Sequence, residues 1–464
     1  MIIPQIIRKV LRQIKPILNT RNYSAKNPYT KTWNTLSKEI PSFLKSSQDE
    51  NSYPEHADIV IIGGGLIGVS AAYWLKTRAG EGISVVVLEK DFTYREAQNQ
   101  LKYSTLSQHF SLPENILLSQ YSAEFLRNVK ENINSNVNIE YFPTGSLVLA
   151  SEQHADKLEH NVAVQKEHGL RNVLLSPTEI KTKFPWLNIN DVKLGSMSFE
   201  SEGVFNSWKL LKGLIHKTKE LGTTYVNAEV VGFELEKQRD VLMEGVSPGS
   251  FEKIIKVIYR TPNNEEHSVK FAGCILAGGI NSSEIAKLAN IGVGDGMLAI
   301  PLPIDKREHP VYSIEGKAIE TGLTTPSIID SSGFWLRRNG LDNNLFCGQL
   351  PAISPEYQID LDTVKFSLQN RLTNSITIFT IKKYKNEIYD CNTYDETGIL
   401  GPHPYHNNLY IASGFGKQGC QHAPGIGRAL GELIIDSQFT SIDLTRLGFD
   451  RLLVDEPLIE FNVY

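Results

Sequence analysis

The sequence predicts an α/β fold made of two interleaved parts: a largely parallel sheet flanked by helices, and an α+β portion built on an antiparallel sheet. Three observations carry that prediction. An unbroken apolar run, Ile59-Val60-Ile61-Ile62, stops at Gly63-Gly64-Gly65 and leads at once into a helical segment through Ala71, Ala72 and Leu75. Two further glycine turns follow at the strand-to-helix junctions Gly278-Gly279 and Gly414 to Gly419. Between these, Pro301 to Cys347 is rich in strand-forming residues without any such turn, which suits antiparallel pairing.

The first turn is the most informative stretch. Gly63, Gly65 and Gly68 fit G-x-G-x-x-G, in which the first glycine permits the turn, the second lets a pyrophosphate approach the backbone, and the third allows close strand–helix packing. A second buried strand, Ile83 to Leu88, ends at Glu89, where a carboxylate accepts hydrogen bonds from a ribose. Leu66 and Ile67 inside the turn, and Lys90 beside the acid, join the candidate binding set. Strand, turn, helix, strand and acid in register specify a Rossmann-like dinucleotide site. Ala57 to Leu75 carries a single charge, Asp58, and hydropathy alone would read it as a membrane span. Its four glycines and the change from strand to helix periodicity argue against that.

At 464 residues the chain exceeds what one hydrophobic core organises, so two connected domains are expected behind an N-terminal extension. With 41% hydrophobic and 21% charged residues the composition is that of a globular protein, and no basic patch interleaved with aromatics points to nucleic acid. Cys274, Cys347, Cys391 and Cys420 are widely spaced with no C-x-x-C pair, which fits a reducing compartment and neither a disulfide framework nor a structural metal site. Residues 1 to 38 hold eight basic side chains and no acid. As a helix, Ile3, Ile7, Val10, Leu11 and Ile14 share one face, with Arg8, Arg12 and Lys15 opposite. Such a segment is expected to be a mitochondrial transit peptide, with an arginine-led cleavage site near Arg21 to Ser24. Removing residues 1 to 23 takes away five basic residues and no acid, moving the formal charge from −5 to −10.

Along the chain, a polar linker precedes the first strand, and a polar loop runs from Tyr94 to Gln108. The periodicity of Ile116, Leu117, Tyr121, Phe125 and Val129 predicts a helix from Glu114 to about Ile133. Gly145 to Ala150 reads as a strand and Gln153 to His168 as a helix; Ser176-Pro177 caps another helix, and a further helix begins near Asn206 or Ser207 and stops at Gly222. Strands are expected over Tyr225 to Val231, Ile254 to Tyr259 and Ser268 to Ile275, the last running into Gly278-Gly279 and a helix from Ser282. In the strand-rich stretch, Val311 to Ile314, Phe334 to Arg337 and Leu345 to Cys347 are the strands, and Thr363 to Tyr384 is expected to add helix. A final strand from Asn408 enters the third glycine turn, and Pro424-Gly425-Ile426-Gly427 opens a helix with Gly427 and Gly431 placed for close packing. Glycine turns near both ends suggest a long cofactor gripped at two points.

Gly63 to Gly68, Gly203, Leu276-Ala277-Gly278-Gly279, and Gly401-Pro402-His403-Pro404 with Gly414-Phe415, Gly419 and Pro424-Gly425-Ile426-Gly427 together resemble the D-amino-acid oxidase and sarcosine oxidase/dehydrogenase flavoprotein family. The likeness covers roughly residues 57 to 440. Phe110 to Asn115 and Phe184-Pro185-Trp186 further resemble a mitochondrial branch associated with assembly of respiratory complex I. The resemblance implies a Rossmann-like FAD-binding domain (GR2-type) over 57–135, 204–295 and 390–440. It implies a substrate domain over 136–203 and 296–389, a tail over 441–464, and a transit peptide (1–23) and linker (24–56) in front. FAD would lie extended, its pyrophosphate at Gly63, Gly65 and Gly68, its ribose at Glu89 and its adenine near Val230. The flavin end would meet Gly414, Gly416, Gly419 and the helix opening at Gly425, and Gly278 joins the cofactor-binding set. Family chemistry oxidises a carbon–nitrogen bond, so a cation should hold a substrate carboxylate; Arg337 is the first candidate and Arg307 the second.

Several motifs depart from the family pattern. Gln98 to Thr105 is bulky and glycine-free where small residues usually pack against the cofactor, and no histidine between Glu89 and Gln108 offers a covalent flavin link. Cys391 does not match the spacing of a flavin-bonding cysteine, so FAD is expected to be noncovalent. Gly414-Phe415-Gly416-Lys417-Gln418-Gly419 replaces the usual Gly-Phe-Ser-Gly-His-Gly. The expectation is an FAD-binding matrix protein supporting complex I, its partners being complex I subunits or assembly factors. The alternative is an active dehydrogenase or oxidase for a small amine or amino acid. No transmembrane span is expected, only peripheral inner-membrane association.

Overall fold

The structure is a computed structural model. It describes residues 53–95, 103–134, 136–199, 201–315, 322–340, 344–350, 360–373 and 380–464. The basic N-terminal stretch and residues 98–102 of the departing loop lie outside the described residues.

The first sheet grows from the apolar run read in the sequence. Strand His56–Ile62 pairs in parallel with Val85–Glu89 on one side and Glu266–Leu276 on the other. Thr224–Asn227 extends one edge in parallel, while Leu409–Ser413 and the antiparallel Ile399–Pro402 extend the other. Side chains alternate between faces along a strand. Val60, Ile62, Val86 and Leu88 therefore enter one core, with Phe271, Leu276 and Tyr259, and Ile59, Ile61, Val85 and Val87 enter another, beneath helices Leu66–Ala79 and Gly419–Asp436. Both faces are covered, which is why these strands are continuously apolar. A meander, Glu229–Lys237 to Glu252–Arg260 to Glu266–Leu276, is antiparallel and overlies the first core.

Two glycines in the first turn are fixed by distance. Gly63 has φ +103°, and a Cβ there would lie 2.2 Å from Ala277 O. A Cβ on Gly68 would lie 2.0 Å from Gly63 O, so only glycine lets the helix start against the strand end. The long C-terminal helix crosses Leu66–Ala79 just as closely, with Gly427 packed on the Ser70 backbone.

The second sheet has eight strands, antiparallel except for Ser146–Ala150 beside Ser327–Asp330. One face packs Leu147, Leu149, Ile328, Leu336 and Cys347 under helices Pro177–Lys183 and Leu361–Arg371. Ser176 and Glu179 form the capping box of the first of these helices. Asn206 caps Ser207–Glu220 by accepting from Lys209 N.

Two sequence expectations are corrected. Thr363 to Tyr384 is not one helix: helix stops at Arg371, and Thr380–Asn392 is a strand. That strand pairs with Ile304–Glu315 from end to end, and this long-range ladder overrides a local pattern rich in lysine. The last helix begins at Gly419 and not at Gly425, carrying Pro424 inside it. Among the described residues no helix is long and apolar enough to cross a membrane.

Candidate active site

A cleft runs along the carboxyl ends of the parallel strands, the position at which open α/β sheets bind ligands. One end is lined by Glu89, Lys90 and Asp91, the middle by Gly63, Gly65, Leu66, Ile67, Gly278 and Gly279, and the far end by Tyr389, Asp390, Gly419 and Cys420. The acid, the three glycine turns and the N-terminus of the final helix are thus brought into one channel. A Cβ built on Gly65 meets nothing within 4 Å, so the second glycine of the motif faces open space where a phosphate can approach. Helix Leu66–Ala79 has no side-chain cap, and its first N–H groups point the same way. These features fit an extended dinucleotide.

Glu89 is held in place before any ligand arrives. Its Oε2 accepts from Gly64 N at 2.7 Å and its Oε1 from Asp91 N at 2.8 Å. Burial raises its pKa, and these two bonds act in the opposite direction. Each oxygen keeps a second lone pair for a ribose hydroxyl. At the far end Asp390 is buried and accepts from Gly414 N at 2.5 Å; burial raises its pKa also. Gly414 and Gly416 shape this turn with φ of +79° and +58°, without lining the cleft. Gly68 acts through packing, as described above. Val230 lies on strand Glu229–Lys237 and is not among the lining residues.

A second cavity opens on the other side of the terminal glycine turn. Its floor is the face of the second sheet opposite the core, carrying Ser146, Val148, Ile329, Trp335, Arg337 and Glu387. Its walls come from Ser104, Thr105, Phe110, Lys417, Gln421 and Tyr464. Residues 417–418 line this cavity and 419–420 line the cleft, so one turn separates the two spaces.

Arg337 is 5% exposed, sits between the rings of Trp335 and Phe346, and donates from Nη2 to Tyr103 O at 2.7 Å. Its Nη1 is buried with no hydrogen-bond partner. An unpaired buried donor on a charged group is costly, and a ligand carboxylate would satisfy it. Arg307, the second candidate, is half-buried beside Cys391 and does not line this cavity. Cys391 is buried, its thiol pushed up to about 11 chiefly by burial, and it lines neither space.

Three groups were not picked out as site residues by sequence reasoning. Lys417 was visible only as a departure in the last turn; its Nζ is buried, lacks a hydrogen-bond partner and stands 5.4 Å over the Tyr389 ring. Glu387 and Tyr389 lie on strand Thr380–Asn392 beyond Tyr384, in a stretch the sequence reading assigns to no element. Tyr389 Oη is hydrogen-bonded to His309 Nε2, and burial, with Lys417 and Arg307 nearby, pushes that histidine down to about 3.

A family model described as FAD dependent oxidoreductase (DAO) matches residues 58–433. The chain is 40% identical over 428 residues to the FAD-dependent oxidoreductase domain-containing protein 1 homolog of Drosophila melanogaster, covering 90% of this chain and 83% of that protein. It is 35% identical to FAD-dependent oxidoreductase domain-containing protein 1 of Mus musculus, covering 94% and 95%. The solved structure of L-proline dehydrogenase from P. horikoshii superimposes with a TM-score of 0.70 at 22% identity, covering 88% of this chain and all of that one, which shows a shared fold. The cleft that runs from Glu89 to Gly419 has room for an extended dinucleotide, and the chain belongs to the FAD dependent oxidoreductase (DAO) family with FAD as its cofactor.

Proposed function

We propose that this chain oxidises the carbon–nitrogen bond of a small amine or amino acid whose carboxylate is held by Arg337. The observation that carries this reading is the buried, unpartnered Nη1 of Arg337 on a cavity separated from the FAD cleft by one glycine turn. FAD, when bound, supplies the hydride acceptor. Arg337 contributes orientation: its charge-assisted bonds to a carboxylate fix the neighbouring carbon–nitrogen bond relative to the turn Gly416–Gln418. Phe110, Val148, Ile329 and Trp335 supply an apolar lining that limits water around the ligand.

Arg337→Met should retain flavin absorbance and lose kcat/KM by about a hundredfold, the size expected for removing a buried charge-assisted contact. Anaerobic flavin bleaching by a panel of free and N-methylated amino acids measures it. The reading fails if no member of the panel bleaches the wild-type flavin, or if the variant bleaches as fast as wild type.

A second reading, support of respiratory complex I assembly or stability in the mitochondrial matrix, draws on the basic, acid-free residues 1 to 38 and on the motif resemblance. The partners would be complex I subunits or assembly factors, met at the inner membrane without a span. FAD would then act by stabilising the folded state that a partner recognises. In cells lacking the protein, rescue of complex I by Arg337→Met would assign the role to the fold and not to turnover. Normal complex I in the cells without any rescue would end this reading.

A further inference from the structure

Part of the wall of the second cavity comes from far along the chain. Beyond helix Asp450–Leu453 the residues from 455 to 464 form neither helix nor strand, yet they are tied down along their length. Leu458 O accepts from Thr397 Oγ1 at 2.6 Å, and Phe461 O accepts from Asn161 Nδ2 at 2.7 Å. Val463 is buried against Val148, Ala150, Leu158 and Val162. Irregular backbone has no ladder of its own, so bonds to distant residues are what fix its path.

Glu460 is the centre of this anchoring. Its Oε1 accepts from Ser111 N, from Ser111 Oγ at 2.6 Å and from Leu112 N at 3.2 Å, and its Oε2 accepts from Asn115 Nδ2 at 2.7 Å. Ser111 Oγ in turn accepts from Phe461 N at 2.7 Å. Helix Pro113–Arg127 begins after Leu112, which offers no side-chain cap, so a carboxylate from the distant segment meets the positive end of the helix. The same carboxylate also organises the cavity. Glu460 holds Ser111, the neighbour of Phe110, and both Phe110 and Tyr464 line that space.

Strand register orders the floor that these two walls enclose. Val148 is opposite Ile329 and Ile329 is opposite Trp335, so the three make an apolar row across three strands. Tyr464 packs against the cluster that contains Val148, at one end of the row. Arg337 stands at the other end, two residues along the strand from Trp335. Neighbouring strands lie about 4.8 Å apart, so the strands of Arg337 and Val148 are separated by about 10 Å. A ligand with its carboxylate on Arg337 would lay its side chain along the apolar row, toward Tyr464.

We propose that residues 458–464 form the wall that limits the size of the substrate's side chain. Tyr464 is the specificity-determining residue, and Glu460 is the positioning residue that holds it. This deepens the reading of the cavity as the substrate site and rests on it.

The test is anaerobic flavin bleaching of the full-length FAD-loaded protein by glycine, alanine and leucine, each free and N-methylated, with kcat and KM read separately. Tyr464→Ala should raise the ratio of kcat/KM for leucine over alanine by about tenfold, mainly through KM. Glu460→Ala should move that ratio in the same direction, and Glu460→Gln, which keeps the reach and an accepting oxygen, should stay near wild type. Combining Glu460→Ala with Tyr464→Ala should give no further shift, because both act through one wall. If Glu460→Ala fails to fold, Asn161→Leu takes its place: it releases Phe461 O, leaves the helix end capped, and should move the ratio the same way. A ratio unmoved by Tyr464→Ala overturns the proposal, and so do additive shifts, which would confine the effect of Glu460 to helix Pro113–Arg127. Either result, with wild-type flavin still bleached, leaves the substrate-site reading standing. A wild-type flavin that no member of the series reduces removes that reading and the wall inference together.

Discussion

Two glycines of the same motif answer to different physics. Gly65 has open space in front of it, and Gly68 has a carbonyl oxygen 2.0 Å from where its Cβ would be. Gly65→Val should therefore fold and fail to hold FAD, giving a colourless protein with unchanged far-ultraviolet circular dichroism. Gly68→Ala should instead strain the strand–helix junction and lower stability by about 1–3 kcal/mol in denaturant titration. Unchanged FAD affinity in Gly65→Val would contradict the placement of the cofactor. Both roles were legible in the sequence because the motif encodes distances between backbone atoms that any chain forming this turn must obey. Arg337 enters by chemistry, as the strand cation that the family resemblance asks for to hold a substrate carboxylate, and the structure adds that it lines the second cavity. Lys417 and Glu387 were not legible, because their place in the site depends on a cavity that brings strand Thr380–Asn392 and the terminal turn together.

Elements with strong local signals were read closely: the strands of the parallel sheet by their apolar runs, and the helices after Ser176 and Asn206 by their caps. The failures share a cause. Strand Thr380–Asn392 draws its stability from the ladder with Ile304–Glu315, and nothing in its own composition reveals that partner. The same dependence on distant partners governs the C-terminal segment. Arg451, 6% exposed, donates from Nε to Asp395 Oδ2 at 2.7 Å and from Nη2 to Asp395 Oδ1 at 3.1 Å. Leu458 N donates to Asp395 Oδ2 at 2.9 Å, tying the tail to the loop before Ile399–Pro402. Arg451→Met leaves Asp395 buried without its counter-ion and should cost about 3–5 kcal/mol. Replacing both, with Asp395→Asn added, should recover part of that loss in urea titration. A single variant as stable as wild type would show that the pair is dispensable.

Over the whole molecule, four buried histidines set how the fold responds to acid. His309, His403 and His422 are pushed down to about 3 and His406 to about 4, burial being the largest cause in each. Hydrogen bonding holds His403 neutral and sets the tautomer of His406, which burial alone keeps uncharged. His403 Nδ1 accepts from the backbone N–H groups of Tyr405 and His406, both at 3.2 Å, and protonating it would break both bonds. His406 Nε2 donates to Ala289 O at 2.9 Å, which commits its proton to that nitrogen. An unfolded histidine titrates near 6.5, so below that pH the unfolded chain binds more protons than the folded one. The contribution of these groups is complete above roughly pH 6.5 and is lost as the pH falls toward their folded values. Each histidine adds a slope of about 1.4 kcal/mol per pH unit within that window, so unfolding free energy should fall by on the order of 5 kcal/mol between pH 7 and 5.5. Urea titrations across this range measure the slope directly. His422→Asn, which removes a ring buried beside Ser119, should lower it by nearly one proton. A flat profile between pH 7 and 5.5 would mean that the histidines gain protons without the fold opening, and that their neutrality is not what the packing enforces.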